Sequence, residues 1–399
     1  MVAITDRVKK VEYAIRDVVL PAKKLEKQGK KILYLNIGDP NYYDFDTPKQ
    51  FKEALYEAIN EHHNGYSDSQ GVLQLRKAIA KREKNFNRIS LSPDDIFITS
   101  GVSEAIGFLL AALINPGDEF LVPGPTYPSY IGLTKYNNGV PVPYRTIEEE
   151  DWKPDVDDIE KKITRRTKAI LIINPNNPTG AVYDEEAVRE IVNIASSHNL
   201  VLVSDEIYDQ IVFDTPYRGT ASIAKDASVV VFNGFSKVYI MPGWRIGYTY
   251  IWDPEEKLTE LKDAIARQAR IRICANSPIQ YALAKALEKP LDYLSDYVTT
   301  LKKRRDFAWK RLNEIDGLSC AKPKGAFYAF PKIENLNHWK TDKDFVLDLL
   351  MTKQVLFVHG SGFDEVYGKG HFRTVFLPPI ELMEEAFNRL EEFMNERTK

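Results

Sequence analysis

Cysteine is nearly absent from this 399-residue chain, and the two present, Cys274 and Cys320, lie far apart with no Cys or His at metal-ligand spacing. That excludes a disulfide framework and a structural zinc site, so no metal is expected and both thiols read as packed side chains. Long apolar runs are lacking too. The longest, residues 105–114, is ten residues, well short of the ~20 that a membrane-crossing helix needs. The first twenty residues scatter Asp6, Arg7, Lys9, Lys10, Arg16 and Asp17 among apolar positions, which matches neither a secretion signal nor an anchor. A soluble cytoplasmic protein with no membrane partner is therefore expected. Nor is there an excess of one charge sign: 54 Lys and Arg against 57 Asp and Glu give a net charge of -3. No basic field is available for a polyphosphate backbone, which argues against nucleic acid as a partner and for small ligands. Internal repeats and low-complexity segments are absent, and the acidic run Glu148-Glu149-Glu150-Asp151 reads as a solvated turn.

What is present is a globular composition, 44% hydrophobic and 28% charged, on a chain long enough for two domains at roughly 100–200 residues each. Apolar positions at Val8, Val11, Ile15, Val18 and Val19 precede Pro21 and a basic amphipathic run, predicting an arm followed by a helix. Residues 31–36 predict a short strand opening into the turn Ile37-Gly38-Asp39-Pro40-Asn41. Thr47 as a cap, Pro48 at the first helical position and Gln50 closing a capping box predict a helix to about His63. Residues 65–71 form a polar loop before the next helix. From Asp95 onward, short apolar strands alternate with helices. The strands fall at 96–99, 119–122, 169–173, 201–204, 228–232 and 246–251, and the helices at 103–114 and 184–199. This alternation defines an α/β domain with a largely parallel sheet, whose ligands gather at the carboxyl ends of the strands. After about Pro278 come helices at 278–286 and 291–315, strands at 325–330, 355–358 and 373–377, and a last helix at 379–396, an α+β unit.

Five stretches follow strands. Thr99-Ser100-Gly101-Val102-Ser103-Glu104 puts free N–H groups at a helix start, a site for phosphate, although Gly beside Ser is also a common helix opening. Pro123-Gly124-Pro125-Thr126-Tyr127-Pro128 fixes an aromatic ring that either stacks on a flat ligand or simply packs. In Ile173-Asn174-Pro175-Asn176-Asn177-Pro178-Thr179-Gly180 each Asn before a Pro is pushed to an extended backbone, and Asn177 is held at the strand end with an amide ready to donate. In Ser204-Asp205-Glu206-Ile207-Tyr208, Asp205 is costly to bury without a cation or proton donor. A helix cap would account for Asp205 but not for Tyr208, which shares a face with it only if the chain bends. Last, Asn233-Gly234-Phe235-Ser236-Lys237, with Arg245 eight residues on, delivers an ammonium, a hydroxyl and N–H groups to one volume. An enclosed lysine beside a second cation loses its proton more easily than a free one at about 10.4, and the neutral amine attacks aldehydes. A solvated lysine on a turn is the alternative.

Taken in order, SGVSEAI, PTYP, NPNNPTG, DEIY, FSK and GWRIG resemble the fold type I pyridoxal-phosphate enzymes, specifically the class I/II aminotransferases, over Gly38 to Arg373. Tyr13-Ala14-Ile15-Arg16, Asn36-Ile37-Gly38-Asp39-Pro40 and Arg272-Ile273-Cys274-Ala275-Asn276 are similar to bacterial and archaeal alanine aminotransferases. The resemblance implies pyridoxal 5′-phosphate as cofactor, with pyridoxamine phosphate between two half-reactions. It also implies a large domain, residues 46–278, with a mixed, mostly parallel seven-stranded sheet, and a smaller α+β domain built from both chain ends, 1–45 and 279–399.

Carried over residue by residue, the resemblance makes Lys237 the residue that bears the cofactor and moves the substrate proton. Ser236, Arg245 and the backbone N–H groups of Gly101, Val102 and Ser103 would hold the phosphate, and Tyr127 would stack on the ring. Asp205 would keep the ring nitrogen protonated, and Asn177 and Tyr208 would bond the 3′-oxygen. Arg373 would grip the substrate α-carboxylate, with Gly38 and Asn177 beside it and Tyr13 among the substrate contacts. Tyr66 resembles a tyrosine that reaches the neighbouring subunit's phosphate, implying a homodimer with shared sites. The bonds before Pro125 and Pro178 are expected to be cis. Gly234 departs from the pattern: many relatives carry a phosphate-binding hydroxyl there, so Ser236 or backbone groups would have to compensate. The implied reaction is amino transfer from an L-amino acid to a 2-oxo acid, with alanine plus 2-oxoglutarate preferred. Aspartate or aromatic donors and a β-eliminating lyase are the alternatives, and Arg16, Arg267, Arg270 and Arg272 are candidates for reading a side-chain carboxylate. A regulator with an aminotransferase-like domain is disfavoured, because about 30 residues before the first strand hold no DNA-binding domain.

Overall fold

Residues 2–11, 13–336 and 338–397 are described by the computed structural model, so position 12 of the predicted arm lies outside it. In chain order the strands are β1 (Leu33–Tyr34), β2 (Ile96–Thr99), β3 (Glu119–Gly124), β4 (Val140–Ile147), β5 (Lys153–Pro154), β6 (Thr167–Ile173), β7 (Val201–Asp205), β8 (Val229–Gly234) and β9 (Gly247–Trp252). They continue as β10 (Leu318–Ser319), β11 (Tyr328–Ala329), β12 (Lys332–Ile333), β13 (Val355–Leu356), β14 (Val358–His359) and β15 (Phe372–Val375). One sheet collects eight of them in the order β2-β9-β8-β7-β6-β3-β4-β5. The five strands β8, β7, β6, β3 and β4 run parallel, and β9 lies antiparallel between β2 and β8. The inner strands are apolar along their middles and buried on both faces, which is what helices covering both sides of a parallel sheet require.

The sheet therefore has one strand more than the seven expected, and the alternation reveals neither β4 nor β5. Strand β4 carries Pro141 and Pro143, which lack the ladder's N–H donor. They are tolerated because β5 reaches only Thr146 and Ile147, leaving the rest of β4 on an open edge. The capping box at the first long helix is a second departure. The helix Lys49–Asn60 starts with no side-chain cap; Thr47 instead donates to the Ile240 carbonyl at 2.7 Å, and Gln50 to the Ala286 carbonyl at 3.3 Å. Tertiary acceptors have captured both side chains. The arm is three short helices, Asp6–Lys9, Ala14–Asp17 and Val19–Glu26, and Pro21 sits in the first turn of the third, where its missing N–H has no helical acceptor to lose.

The two ends of the chain meet: β1 pairs in parallel with β13, and the Val375 N–H donates to the Leu35 carbonyl at 2.9 Å. Strands β11, β15 and β14 form an antiparallel sheet beside the helices Tyr293–Glu314, Asp342–Lys353 and Ile380–Arg397. The predicted strand at 325–330 contracts to β11, and that at 355–358 divides into β13 and β14. The bonds before Pro125 and Pro178 are cis, and so is Asn174-Pro175. Among the described residues no helix is long and apolar enough to cross a membrane, and no group of three or more His, Cys, Asp or Glu is placed to hold a metal.

Candidate active site

The parallel strands deliver their loops to one edge. At the end of β7, Asp205 is buried, its Oδ1 accepting from the Ile207 N–H at 3.2 Å and its Oδ2 from the Tyr130 hydroxyl at 2.7 Å. Burial pushes the carboxyl up to about 6, against the pull of those two donors. That places it close to neutrality. No helix begins here, so the cap reading fails. The chain bends instead, with the Asp209 N–H bonded to the Glu206 carbonyl, and Tyr208 ends 2.8 Å from the Tyr328 hydroxyl.

Lys237 follows β8 and donates to the Gly38 carbonyl at 2.7 Å. Desolvation pushes its ammonium down to about 8, with Arg373 and Arg245 adding to the shift and Asp39 and Asp205 opposing it. A solvated turn lysine would have neither this partner nor this shift. Arg373, on β15, is fully buried. Its Nη1 donates to Asn177 Oδ1 at 2.9 Å and its Nη2 to the Asn36 carbonyl at 2.6 Å, while its Nε has no partner. Because Asn177 accepts through its oxygen, its amide nitrogen remains free to donate. Tyr13 and Tyr127 meet hydroxyl to hydroxyl at 2.8 Å.

A second cluster lies at the start of the helix Val102–Leu113, whose first N–H groups have no helical acceptor. Gly101 precedes it with φ +83, and a Cβ there would come within 2.6 Å of Arg245 Nη2. Arg245 is exposed and reaches the Ser100 carbonyl at 3.4 Å. The departure at Gly234 has a steric reason. A Cβ on Gly234 would lie 3.0 Å from Gly247 Cα, and one on Gly247 would lie 2.9 Å from the Gly101 and Val102 backbone. A side chain at 234 would fit only if the Gly247 backbone gave way by a few tenths of an ångström. Ser236 is buried, but its hydroxyl makes no hydrogen bond among the described residues. Tyr66 is 87% exposed and is not brought to Lys237 in this chain.

Several residues of the cluster escape the sequence reading. Tyr130 follows Tyr127 by three, a helical spacing that would have suggested a shared face. Asn36 was legible as the end of a strand and as part of a family-like stretch but was given no role, and both its side-chain polar atoms are buried and unpartnered beside Arg373. Behind the loops, Asp209 accepts from Asn233 at 2.8 Å and from Arg82, and Arg82 also pairs with Glu83, which accepts from Tyr248 at 3.0 Å. This network ties the turn after β7 to β8 and β9. A cavity of about 610 Å³ lies behind it, lined by Arg82, Gln210 and Tyr239 among others but not by Lys237.

Such a set of groups suits an α/β enzyme of amino-group chemistry: an amine of lowered basicity, a buried carboxylate, a buried arginine with an unpartnered Nε and free helix N–H groups at one sheet edge. The match of residues 30–390 to the aminotransferase class I and II model makes the assignment specific, and the chain belongs to that family. It is 40% identical to the glutamate-pyruvate aminotransferase AlaA of Escherichia coli K12, over 98% of this chain and 97% of that protein. It is also 40% identical to the alanine aminotransferase of Mycobacterium tuberculosis H37Rv, over 96% and 90%. Its fold matches the alanine aminotransferase of Pyrococcus furiosus with a TM-score of 0.97 at 57% identity, covering 99% of this chain and all of the other. The protein is an aminotransferase acting on amino and 2-oxo acids, and membership of the family implies dependence on pyridoxal phosphate.

Proposed function

We propose that the chain is an alanine aminotransferase, L-alanine plus 2-oxoglutarate giving pyruvate plus L-glutamate, working as a cytoplasmic homodimer. The carrying observation is the bonded pair Arg373–Asn177 facing Lys237 on Gly38, a carboxylate reader set beside an amine that is readily made neutral. The alanine preference is supported by the similarity to relatives named for alanine and glutamate-pyruvate transfer. It is supported further by Arg272, one of the candidate second arginines, which is already engaged by Glu104 at 2.5 Å and by the Ser69 carbonyl at 2.9 Å.

The free N–H groups after Gly101, the buried Asp205 carboxylate and the half-buried Lys237 amine fit pyridoxal phosphate. When bound, that group supplies an aldehyde for amines and a protonated ring that accepts electrons from the substrate Cα. Lys237 would carry it, and its amine would move the proton at the substrate Cα. Asp205, ionised and already holding two donors, has a lone pair left for the ring N–H. Asn177 and Tyr208 would donate to the 3′-oxygen, and Tyr127 would lie against the ring. The N–H groups of Gly101, Val102 and Ser103, with Arg245 and Ser236, take the phosphate. Arg373 receives the α-carboxylate, with Gly38, Asn177 and Tyr13 around it. The shared-site dimer is supported by exposed Tyr66, Ile271 and Ile273 on two segments that touch through Arg272 and Ser69. Division at 45/46 and 278/279 is supported by the β1–β13 pairing of the chain ends.

Steady-state rates with alanine, aspartate and aromatic donors test the substrate. Alanine is expected to be the fastest, and fast aspartate turnover beside negligible alanine turnover would remove that preference. Pyruvate and ammonia released without an oxo acid would favour the lyase. Lys237→Ala is expected to lose the visible band of the bound cofactor, and a retained band would overturn the lysine assignment.

A further inference from the structure

Tyr328 lies outside every motif read from the sequence, yet it touches three groups of the site that come from three separate parts of the chain. Its hydroxyl is 2.8 Å from that of Tyr208, in the turn after β7. The Arg373 guanidinium lies 4.4 Å over its ring. A Cβ on Gly38, in the N-terminal segment, would come within 2.3 Å of its hydroxyl, so only glycine leaves the ring its place. The sheet sets this up: Tyr328 on β11 stands opposite Val375 on β15, and Arg373 lies two residues from Val375 on the same face.

The direction of the hydroxyl contact follows from chemistry. Tyr328 faces the guanidinium, which favours its anionic form, and burial raises it only to about 12. Tyr208 is raised well above its ordinary value by burial and by its neighbour. Each phenol has a single proton, so with that of Tyr208 directed at the 3′-oxygen the contact between the two hydroxyls is made by the Tyr328 proton pointing at the Tyr208 oxygen. The Tyr208 hydroxyl has no other hydrogen-bond partner among the described residues. A phenol that accepts one bond keeps its own proton for another acceptor and donates it more strongly.

We propose that Tyr328 is a positioning residue: it donates to Tyr208 so that the Tyr208 proton is presented to the cofactor's 3′-oxygen, while its ring holds the Arg373 guanidinium in place for the substrate carboxylate. This rests on the reading of Tyr208 as a ligand of that oxygen. Tyr328→Phe keeps the ring and removes the donor; Tyr328→Leu removes both.

The test is a pH titration of the visible band of the pyridoxal-phosphate-loaded enzyme without substrate, with calorimetric binding of pyridoxal phosphate to the cofactor-free chain. A donor to the 3′-oxygen lowers the proton affinity of the conjugated system. Tyr328→Phe is therefore expected to raise the apparent pKa of the band by about 0.5 unit or more and to weaken cofactor binding roughly 2–10-fold. Its KM for the amino donor should change less than about 2-fold, whereas Tyr328→Leu should raise that KM about 10-fold through the lost cation–π contact. Tyr208→Phe is the reference and should raise the pKa at least as far. A shift in Tyr208→Phe with unchanged pKa and affinity in Tyr328→Phe would overturn this inference and leave the reading of Tyr208 standing. No shift in either would sink the reading of Tyr208 and the inference with it. Circular dichroism of both phenylalanine variants checks that the fold is kept.

Discussion

At Asp205 and Lys237 one cause acts in opposite senses, because burial disfavours charge on both. The carboxyl rises to about 6 and the ammonium falls to about 8, so each stays mostly charged at pH 7 but is close to changing state. That proximity makes the neighbours matter. Tyr130 supplies one of the two hydrogen bonds that favour the Asp205 anion, so losing it raises the carboxyl further. Tyr130→Phe is expected to move the acid limb of the kcat/KM profile upward by about 0.5–1 pH unit, read from rates between pH 5 and 9. Asp205→Asn keeps the shape and removes the charge. The loss in kcat should be on the order of 10²–10³-fold, measured in single turnovers with circular dichroism unchanged. Asp205, Asn177 and Lys237 were legible as residues because each stands where a strand ends, and a local pattern says where strands end. Arg373 offered no such signal. It sits within a short strand and reads alone as a surface charge, yet it is fully buried.

The elements near the site are set closer than their sequences disclose. Gly247 opens β9 with its Cα against the backbone that starts the helix Val102–Leu113, where an added Cβ would lie 2.9 Å from two main-chain atoms. Main chain cannot rotate away as a flexible side chain can. Gly247→Ala is expected to weaken pyridoxal-phosphate binding about 10-fold or more, by displacing the free N–H groups of that helix, with little change in helix content; fluorescence titration and circular dichroism together check it. Element legibility divides along the same line. Buried strands such as β6 and β7 announce themselves as apolar runs. Strand β4 does not, because two prolines are compatible with it only on an open edge. The Thr47–Gln50 box looked like a helix start, but carbonyls at Ile240 and Ala286, almost two hundred residues away or more, took both side chains.

For the whole molecule, stability should depend on pH through groups that the chemistry does not use. Glu206, next to Asp205, is fully buried, with Oε1 accepting from the Thr220 N–H at 2.8 Å and Oε2 unpartnered. Burial and the nearby Glu83 and Asp209 push it up to about 8 from an ordinary 4.5. The folded chain holds this proton where the unfolded chain has released it. Stability is therefore greatest below the unfolded value and falls as pH rises from about 4.5 through about 8. Glu206→Gln removes that proton exchange. Relative to the native chain, its Tm should gain roughly 1–5 °C between pH 5 and pH 8, followed by calorimetry; parallel curves would refute the assignment.

By itself the sequence determined the alternation of strands and helices, the loops that follow the strands and, through the order of six motifs, the family. These are local matters, settled by residues a few positions apart: an apolar run, an Asn before a Pro, a Gly before a helix. Only the tertiary structure decided which distant groups meet. Asn36 and Arg373 are 337 residues apart, Gly38 and Lys237 are 199 apart, and Tyr208 and Tyr328 are 120 apart. No spacing rule reaches across such separations. Their contacts exist because β1 pairs with β13, β11 with β15, and the sheet brings its strand ends to a common edge.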